Sequence, residues 1–351
     1  MTLAAALLAL LVLILVGMPL VRSDYWTFRA MEYPRSQKWV FLIVALIFWS
    51  IFGASSPTVY WGVMALLLIS FVFVSIQIYP YLPIAPREVH RTPSVATPEE
   101  GKRLSLLIAN VWQPNRQTAR LLEFIRRLSP DVILLLETNQ WWENQLKPVK
   151  KEYPYTQLVP QENTYGMLLY SKFRLEKQQI HYLVENDVPS IECSMVLSDN
   201  YRIHFFGVHP RPPAPSESVT STEKDRELLL VAEKAKADHG PVIVAGDLND
   251  VAWSYTTNLF QKMSRLLDPR KGRGFYNTFP VKWPMLRFPL DHIFCSRHFQ
   301  LIRLHRLKDI GSDHFPIFIE MQLLPDPEQP ETAPLPDEKD KIIAREKFRD
   351  N

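Results

Sequence analysis

The sequence predicts an α/β (α+β) domain, in which two β-sheets pack face to face with helices outside them, preceded by transmembrane helices. Three observations lead to this prediction. Residues 1–21 and 39–86 contain no charged side chain, although the whole chain of 351 residues is 22% charged. The remaining sequence has the nearly balanced charge of a globular domain. Within it, short apolar runs of strand length outnumber the helical patterns and alternate with them.

The uncharged stretches predict a membrane anchor with three helices. About 20 apolar residues are needed to cross the hydrocarbon core of a bilayer. Residues 3–21 fit one crossing, and residues 39–54 and 59–79 fit two more, joined by a short turn. The chain begins Met-Thr-Leu-Ala, without Lys or Arg, which favours a retained helix over a cleaved signal peptide.

Basic residues flank the predicted spans on one side. The loop between the first and second spans contains Arg22, Arg29, Arg35 and Lys38, and more basic residues follow the third span. The turn between the second and third spans contains none. Because Lys and Arg accumulate in cytoplasmic loops, we expect an integral protein of the plasma (inner) membrane whose large domain lies in the cytoplasm. The lipid bilayer is then a partner of the chain, and no protein partner is predicted.

Composition also predicts the boundaries between the anchor, a linker, the large domain and a tail. Residues 1–79 are the predicted anchor, and the Pro-rich residues 80–100 are predicted to be an extended linker. Residues 101–324 form the predicted catalytic domain. Residues 325–351 mix proline with acidic and basic residues and are predicted to be a disordered charged tail, with a short charged helix at the end as the alternative.

The pattern of apolar residues predicts the elements of the large domain. Helical spacing predicts helices over 117–128 and 222–237. Apolar runs of strand length are found at residues 104–112, 131–137, 166–171, 190–197, 202–209, 242–246, 290–295 and 316–323. Periodicity alone does not decide between an α/β and an α+β arrangement.

Polar residues that suit catalysis fall at the boundaries of these strands. They are Asn110, Glu137, His209, Asp247, Asn249, Asp291, Asp313 and His314. Each one alone is also typical of a turn, a cap or a strand end. Because all of them occur at strand boundaries within one domain, we expect them to converge on one edge of the sheets, where active sites are commonly built.

This set suits the hydrolysis of a phosphate ester. That reaction needs neutralisation of the phosphoryl oxygens and an activated water. Mg²⁺ prefers carboxylate and carbonyl oxygens, which Glu137 and Asn110 could supply. His314, held by Asp291 or Asp313, could act as a base or as an electrostatic stabiliser. Asn249 could orient the phosphate or the water.

The motifs around these residues resemble the endonuclease/exonuclease/phosphatase (DNase I-like) family. They are Ala-Asn110-Val-Trp, Leu-Leu-Glu137-Thr, Gly-Asp247-Leu-Asn249, Leu-Asp291-His-Ile-Phe and Ser-Asp313-His314-Phe-Pro. Together they span about residues 104–324, which is essentially the whole large domain. The membrane part is outside the resemblance.

The resemblance implies a four-layer α/β sandwich of two mixed β-sheets flanked by helices. It also implies phosphoester hydrolysis that depends on Mg²⁺, with Mn²⁺ as the alternative metal. The implied metal ligands are Glu137, helped by Asn110 and Asp313. The implied catalytic residues are His209, Asp247, Asn249, Asp291 and His314. Some members place a further acid two residues after the first Asn, where this chain has Trp112, so the choice between one metal and two stays open.

The substrate is left open by the motifs. The family acts on nucleic acids, phospholipid headgroups and inositol phosphates, and a shared fold does not choose among them. Arg211 and the basic, aromatic segment 270–289 could hold a phosphate chain, stack on bases or cover a lipid. An ordinary solvated loop is the alternative interpretation of that segment.

The function predicted from the sequence is therefore a membrane-anchored, Mg²⁺-dependent phosphoester hydrolase, either a phosphodiesterase or nuclease or a phosphatase. The alternative is a catalytically silent, membrane-bound binding module of the same fold. A transporter is disfavoured because the predicted spans contain no charged residue. With only two cysteines, the chain is neither a disulfide scaffold nor a Cys-rich zinc protein.

Overall fold

The computed structural model of the chain describes residues 1–21, 23–53, 56–92, 102–198, 201–324 and 333–349. Its helices are α1 (Thr2–Gly17), α2 (Trp26–Ala30), α3 (Arg35–Phe52), α4 (Pro57–Ile78), α5 (Thr118–Leu128), α6 (Gln140–Gln145), α7 (Thr222–Ala237), α8 (Tyr255–Ser264) and α9 (Glu338–Arg349). Its strands are β1 (Arg103–Asn110), β2 (Val132–Leu136), β3 (Tyr155–Val159), β4 (Met167–Ser171), β5 (Arg174–His181), β6 (Ser190–Ser198), β7 (Tyr201–Val208), β8 (Val242–Asp247), β9 (Asp291–Cys295), β10 (Phe299–Arg306) and β11 (Ile317–Leu323).

The strands form two mixed sheets. In the described residues, one sheet has the order β10-β11-β1-β2-β4-β3 and the other has the order β5-β6-β7-β8-β9. The pairs β1–β2 and β7–β8 are parallel, and every other pair is antiparallel. Each predicted strand is present with its ends shifted by at most two residues.

Side chains alternate in direction along the strands, and this alternation produces four layers of structure. Leu106 and Ile108 of β1 point between the sheets and pack there with Phe205 of β7. Leu107 points to the opposite face, where α5 and α6 cover the sheet. Val244 of β8 likewise faces α7 and α8 on the outside of the second sheet. Because successive strand residues face opposite sides, apolar strands buried on both faces give the helix–sheet–sheet–helix sandwich that was predicted.

Three N-terminal helices are long and apolar enough, by length and composition, to cross a membrane. They cover Thr2–Leu20, Arg35–Phe52 and Pro57–Tyr81. Each overlaps one predicted span, and the largest difference is at the second, which begins four residues before the predicted residue 39. Residue 54 lies outside the described residues. The helices pack through small residues, among them Ala5, Ala9 and Ala45.

The segment after the third apolar helix packs against the large domain. Tyr81 is buried, and its hydroxyl donates to the carbonyl oxygen of Ala252 at 2.6 Å. Glu88 accepts hydrogen bonds from Lys271 and Gln261, each at 2.6 Å. Residues 80–92 therefore connect the third apolar helix to the large domain in close contact with it, because an aromatic and an acidic side chain find buried partners there. Residues 93–100 lie outside the described part of the chain.

The end of the chain contains a docked helix. Ala344 of α9 is buried in a cluster with Leu229 of α7 and Leu259 of α8. Lys262 forms an ion pair with Asp340 at 2.8 Å. Residues 338–349 form the short charged helix that was the alternative to a disordered tail, and one apolar face of this helix covers α7 and α8. Residues 325–332 lie outside the described residues.

Candidate active site

The strand directions bring the predicted polar residues to one edge of the sandwich. Asn110 ends β1 and Glu137 follows β2, so the two lie at the carboxyl ends of a parallel pair. His209 follows β7 and Asp247 ends β8, which is the equivalent pair in the other sheet. The neighbouring strands β9 and β11 are antiparallel, so the residues at their amino ends lie at the same edge.

Asn110 links the two sheets at this edge. Its amide Nδ2 donates to Oε1 of Glu137 at 2.7 Å and to Oδ2 of Asp247 at 3.1 Å. Asn110 and Asp247 are buried. One amide therefore holds a carboxylate from each sheet within a single cluster.

A histidine flanked by two carboxylates lies beside this cluster. Nδ1 of His314 is 2.8 Å from Oδ2 of Asp291, and Nε2 of His314 is 3.6 Å from Oδ2 of Asp247. All three side chains are buried. Ser312 holds the chain that carries His314 against the end of β1. Its hydroxyl donates to the carbonyl of Asn110 at 2.8 Å and accepts the His314 amide N–H at 3.0 Å.

The turn after β8 places Asp247 and Asn249. Oδ1 of Asp247 accepts the backbone N–H of Asn249 at 2.9 Å, and the Asn249 amide donates to the carbonyl of Pro210 at 2.9 Å. Gly246 has a φ of +150°, and a Cβ there would lie 1.9 Å from the carbonyl oxygen of Val208. Only glycine fits so close to β7.

Two of the site residues adopt left-handed backbone conformations. Glu137 has a φ of 56° and Asn249 has a φ of 48°. Such conformations cost about 1–3 kcal/mol at non-glycine residues and cluster at functional sites. The conformation of Glu137 turns the chain directly after β2, where its carboxylate meets Asn110.

His209 and Asp313 lie at the edge of the cluster. His209 is buried against the ring of Tyr165, with the ring centroids 5.4 Å apart, and its Nδ1 has no hydrogen-bond partner among the described residues. The Asp313 carboxylate accepts a bond from the Ser312 hydroxyl at 3.4 Å. Asp313 makes no direct bond to Glu137 in the described structure, but its charge helps to raise the pKa of the Glu137 carboxyl.

Burial and neighbouring charges shift the titration of these groups. Burial raises the pKa of Glu137, against the lowering effect of the Asn110 amide. Burial also raises the pKa of Asp247. Burial alone would lower the pKa of His314, but the carboxylates of Asp291 and Asp247 outweigh it and raise the pKa to about 10. Burial lowers the pKa of His209 to about 3, with the charge of His314 acting in the same direction. The edge therefore holds one cationic and one neutral histidine at neutral pH.

The donor set fits a hard divalent cation. The Asn110 amide N–H group joins the carboxylates of Glu137 and Asp247, while its Oδ1 accepts the backbone N–H of Trp112 at 3.0 Å. Carboxylate oxygens such as these two groups offer are ligands that Mg²⁺ prefers. Oδ1 of Asp291 is buried without a hydrogen-bond partner among the described residues, which is an unusual state for a carboxylate oxygen. Asp247, Asp291 and His314 also have ligand atoms that all lie within 4.8 Å of one another.

The two segments expected to hold a phosphate chain are mostly occupied in other contacts. Arg211 forms ion pairs with Glu185, Asp187 and Glu217 at 2.7, 2.9 and 3.3 Å. Arg270 is buried in an ion pair with Asp268 at 2.8 Å. Because both guanidinium groups are held in ion pairs, neither of them is free as a phosphate clamp. Within 270–289 the exposed part is the tip at 282–286.

Other residues that shape the site were not predicted. The hydroxyl of Thr278 accepts the backbone N–H groups of Leu290 and Asp291, each at 3.2 Å, and so positions the start of β9. The hydroxyl of Tyr33, in the loop between the first two apolar helices, donates to the carbonyl of Asn249 at 2.7 Å. No local sequence pattern marks either contact, because each joins segments that are distant along the chain.

Comparison with solved structures shows the same fold. The endonuclease/exonuclease/phosphatase from Beutenbergia cavernae DSM 12333 is 17% identical with a TM-score of 0.50, over 64% of this chain and 72% of that chain. A family protein from Bacteroides thetaiotaomicron is 17% identical with a TM-score of 0.51, over 65% of this chain and 99% of that chain. TDP2 from D. rerio, complexed with single strand DNA product, is 16% identical with a TM-score of 0.50, over 63% of this chain and 99% of that chain.

Comparison with sequence families assigns the chain to a family, whereas the solved structures show only its fold. No curated protein matches the chain significantly. The profile of the Endonuclease/Exonuclease/phosphatase family matches residues 107–314, which is more than half of the chain and includes every predicted site residue. The chain therefore belongs to the Endonuclease/Exonuclease/phosphatase family, whose members are phosphoester hydrolases.

Proposed function

We propose that this protein is a membrane-anchored phosphoester hydrolase that depends on a divalent metal, with Mg²⁺ as the natural ion and Mn²⁺ as a substitute. The observation that supports this most directly is the cluster at the sheet edge. There, Asn110 joins Glu137 to Asp247, and Asp247 lies 3.6 Å from a histidine that Asp291 holds at 2.8 Å.

The proposed metal ligands are Glu137 and Asn110, with Asp313 close by. When bound, the cation neutralises charge that develops on the phosphoryl oxygens. The left-handed turn at Glu137 and the bond from Asn110 would keep the carboxylate in place for this role. A ligand held by the fold before binding loses less freedom when the ion arrives.

His314 is the proposed contact to the scissile phosphate. Two carboxylates flank it and favour its cationic form, which suits a phosphoryl oxygen. Asp291 acts through His314, since its bond to Nδ1 orients the ring. His209, kept neutral by burial, lies next to this group and would contact substrate without adding charge.

Asp247 and Asn249 are proposed to handle the attacking water. Burial raises the pKa of Asp247, which makes this carboxylate a stronger base than an exposed one. In the reaction the water oxygen forms a new P–O bond, Asp247 takes the water proton, the P–O bond to the leaving alcohol breaks, and the alcohol oxygen is protonated. The charged His314 can supply that proton.

The membrane part completes the proposal. Three apolar helices are long enough to cross a bilayer, and the basic residues of the loop between the first two indicate that this side is cytoplasmic. We therefore place the catalytic domain at the cytoplasmic face of the inner membrane.

The test is hydrolysis of bis(p-nitrophenyl) phosphate by the full-length protein in detergent micelles. We expect turnover with Mg²⁺, loss of turnover with EDTA, and loss in Asp247→Ala and in His314→Ala. Glu143→Gln is the control, because Glu143 lies outside the catalytic cluster, in an ion pair with Lys150. Turnover that survives EDTA and both alanine substitutions would refute the proposal, and Mg²⁺ binding without turnover would support a silent binding module.

A further inference from the structure

We infer that the active site works at the bilayer surface: the loop 281–288 enters the headgroup region beside α3, and the substrate is a phosphoester carried by a lipid headgroup of the same leaflet. This inference rests on the proposed function and adds the substrate class. It follows from the way the anchor contacts the site.

The anchor touches the catalytic machinery directly. Tyr33 lies two residues before α3, and its hydroxyl donates to the carbonyl of Asn249 at 2.7 Å. The neighbouring Glu32 accepts the backbone N–H of Tyr255 at 2.8 Å and, through its carbonyl, the indole N–H of Trp253 at 2.9 Å. The turn that carries Asn249 is therefore held against the chain that enters the second apolar helix.

One loop runs from the active site to the same helix. At its start, the N–H of Val281 donates to the carbonyl of Asp313 at 2.9 Å. Near its tip, the carbonyl of Met285 accepts a hydrogen bond from the side chain of Gln37 at 2.9 Å. Gln37 lies in the first turn of α3, where that apolar helix leaves the bilayer.

These contacts limit the distance between the site and the membrane. Met285 is the fourth residue after Val281, and an extended chain of four such steps spans at most about 14 Å. The catalytic cluster next to Asp313 therefore lies close above the level at which α3 enters the headgroup region. A headgroup phosphate, unlike a soluble polymer, is already present at that level.

The tip of the loop has the composition of a membrane-docking surface. Trp283, Met285 and Leu286 are 66%, 84% and 49% exposed. Lys282 stands beside them in the exposed tip. Large exposed apolar side chains next to a basic residue are typical of segments that enter the interface of an anionic bilayer. Their level beside Gln37 makes the bilayer the partner that covers them.

The side of the site next to His209 is unsuited to a nucleic acid. Arg211 is surrounded by Glu185, Asp187 and Glu217, which more than balance its charge. A groove that binds a polynucleotide needs unpaired Lys and Arg along it. The acids here would repel a polyanion, whereas a single headgroup that rises from the bilayer need not pass them.

The depth of residue 285 tests the membrane part of the inference without any turnover. A nitroxide at Met285→Cys is examined in the full-length protein in vesicles of phosphatidylcholine and phosphatidylglycerol, since the native Cys193 and Cys295 are buried. We expect dissolved oxygen to relax it more strongly than a water-soluble nickel chelate. A label at Ile180→Cys, on the exposed part of β5, gives the aqueous reference. Equal chelate access at both positions would overturn the inference.

Substrate preference tests the second part of the inference, that the substrate is a lipid headgroup. The full-length protein is placed in vesicles that contain phosphatidylcholine, phosphatidylethanolamine, phosphatidylglycerol and phosphatidylinositol 4-phosphate, and lipid products are measured beside the hydrolysis of single-stranded DNA and of bis(p-nitrophenyl) phosphate. We expect turnover of at least one lipid at a rate at least about tenfold above that on DNA. Hydrolysis of the soluble ester without any lipid turnover would overturn the inference alone, and no hydrolysis of any substrate would overturn the proposed function as well.

A loop variant links the two tests. Changing Trp283, Met285 and Leu286 together to Ser should lower the ratio of the lipid rate to the soluble-ester rate at least about tenfold. The matched control is Leu335→Ser with Ile180→Ser, which removes exposed apolar side chains beside Val242 and on β5, outside the loop, and should leave this ratio unchanged. An equal ratio in the loop variant and the control would contradict a role of the loop in docking.

Discussion

Replacing Asp291 by Asn tests the histidine at the centre of the proposed mechanism. Oδ2 of Asp291 is 2.8 Å from Nδ1 of His314, and both side chains are buried. Asn has nearly the same shape but carries no charge, and its amide can present an N–H where the carboxylate presents an acceptor. We therefore expect His314 to lose both its orientation and part of the field that keeps it cationic.

The expected loss of kcat follows from the strength of the hydrogen bond between Asp291 and His314. A hydrogen bond between charged groups contributes about 1.5–3 kcal/mol, and each tenfold change in rate corresponds to about 1.4 kcal/mol. If the bond is needed in the transition state, kcat should fall about 10-fold to 150-fold from this contact alone. General acid–base groups contribute about 10²–10⁴-fold, so loss of the correct ring orientation extends the range upward. We expect KM to change little, because Asp291 acts through His314.

The assay is the Mg²⁺-dependent hydrolysis of bis(p-nitrophenyl) phosphate by the full-length protein, with thermal unfolding measured in parallel. Asp187→Asn is the matched control, because it makes the same carboxylate-to-amide change at an exposed ion pair, where the energetic effect is small. A folded Asp291→Asn protein whose kcat stays within about threefold of the wild type would refute the assigned role.

Three further predictions concern the metal, the pH dependence of stability and the docking of the anchor. Glu137→Gln should raise the Mg²⁺ concentration for half-maximal hydrolysis at least about tenfold, because a charged oxygen ligand is lost. Glu227 is buried with a hydrogen bond from the Ser190 hydroxyl at 2.6 Å, and burial raises its pKa from 4.5 to about 8. The folded state therefore keeps a proton that the unfolded state has lost, so stability falls as the pH rises through this window. Glu227→Gln should remove that fall and be the more stable protein at about pH 7.5 in urea titrations. Arg29→Met should cost about 3 kcal/mol in thermal or urea unfolding, because it leaves the buried Asp225 without its 3.1 Å ion pair to the anchor.

Each of these three predictions can be contradicted by one result. An unchanged Mg²⁺ requirement in Glu137→Gln would exclude Glu137 as a ligand, with Glu143→Gln, outside the cluster, as the control. Parallel stability curves of the wild type and Glu227→Gln between about pH 4.5 and 8 would show that Glu227 is ionised in the fold. Unaltered unfolding of Arg29→Met would show that Asp225 is satisfied by its remaining cations, Lys347 at 3.0 Å and Lys224 at 3.7 Å.

The large domain could be predicted where strands are buried on both faces. All five residues of β2 are apolar and buried, so its sequence alone identifies it. The strand β5 was missed, because most of its residues are exposed and several are charged or amide side chains. Edge strands of this kind are specified by pairing with a neighbour, here β6, and carry no clear apolar alternation.

The residues of the candidate site could be predicted from the sequence, but their contacts with one another could be predicted only in part. The residues at strand ends were identifiable because each interrupts an apolar run, as Asp247 does at the end of β8. That Asn110 would bond to both Glu137 and Asp247 depends on how the two sheets face each other. The contribution of Tyr33 was missed because the anchor and the domain were treated as separate units joined by a linker, whereas they are packed together.

The most direct test of the account is to locate the metal. Crystals of the full-length protein grown with Mn²⁺ can be measured at the manganese absorption edge, since Mn²⁺ accepts the same oxygen ligands as Mg²⁺. We predict an anomalous peak about 2.1 Å from a carboxylate oxygen of Glu137, between Asn110 and Asp313. A well-ordered site without a peak there, or a peak bound only elsewhere on the domain, would contradict the central claim.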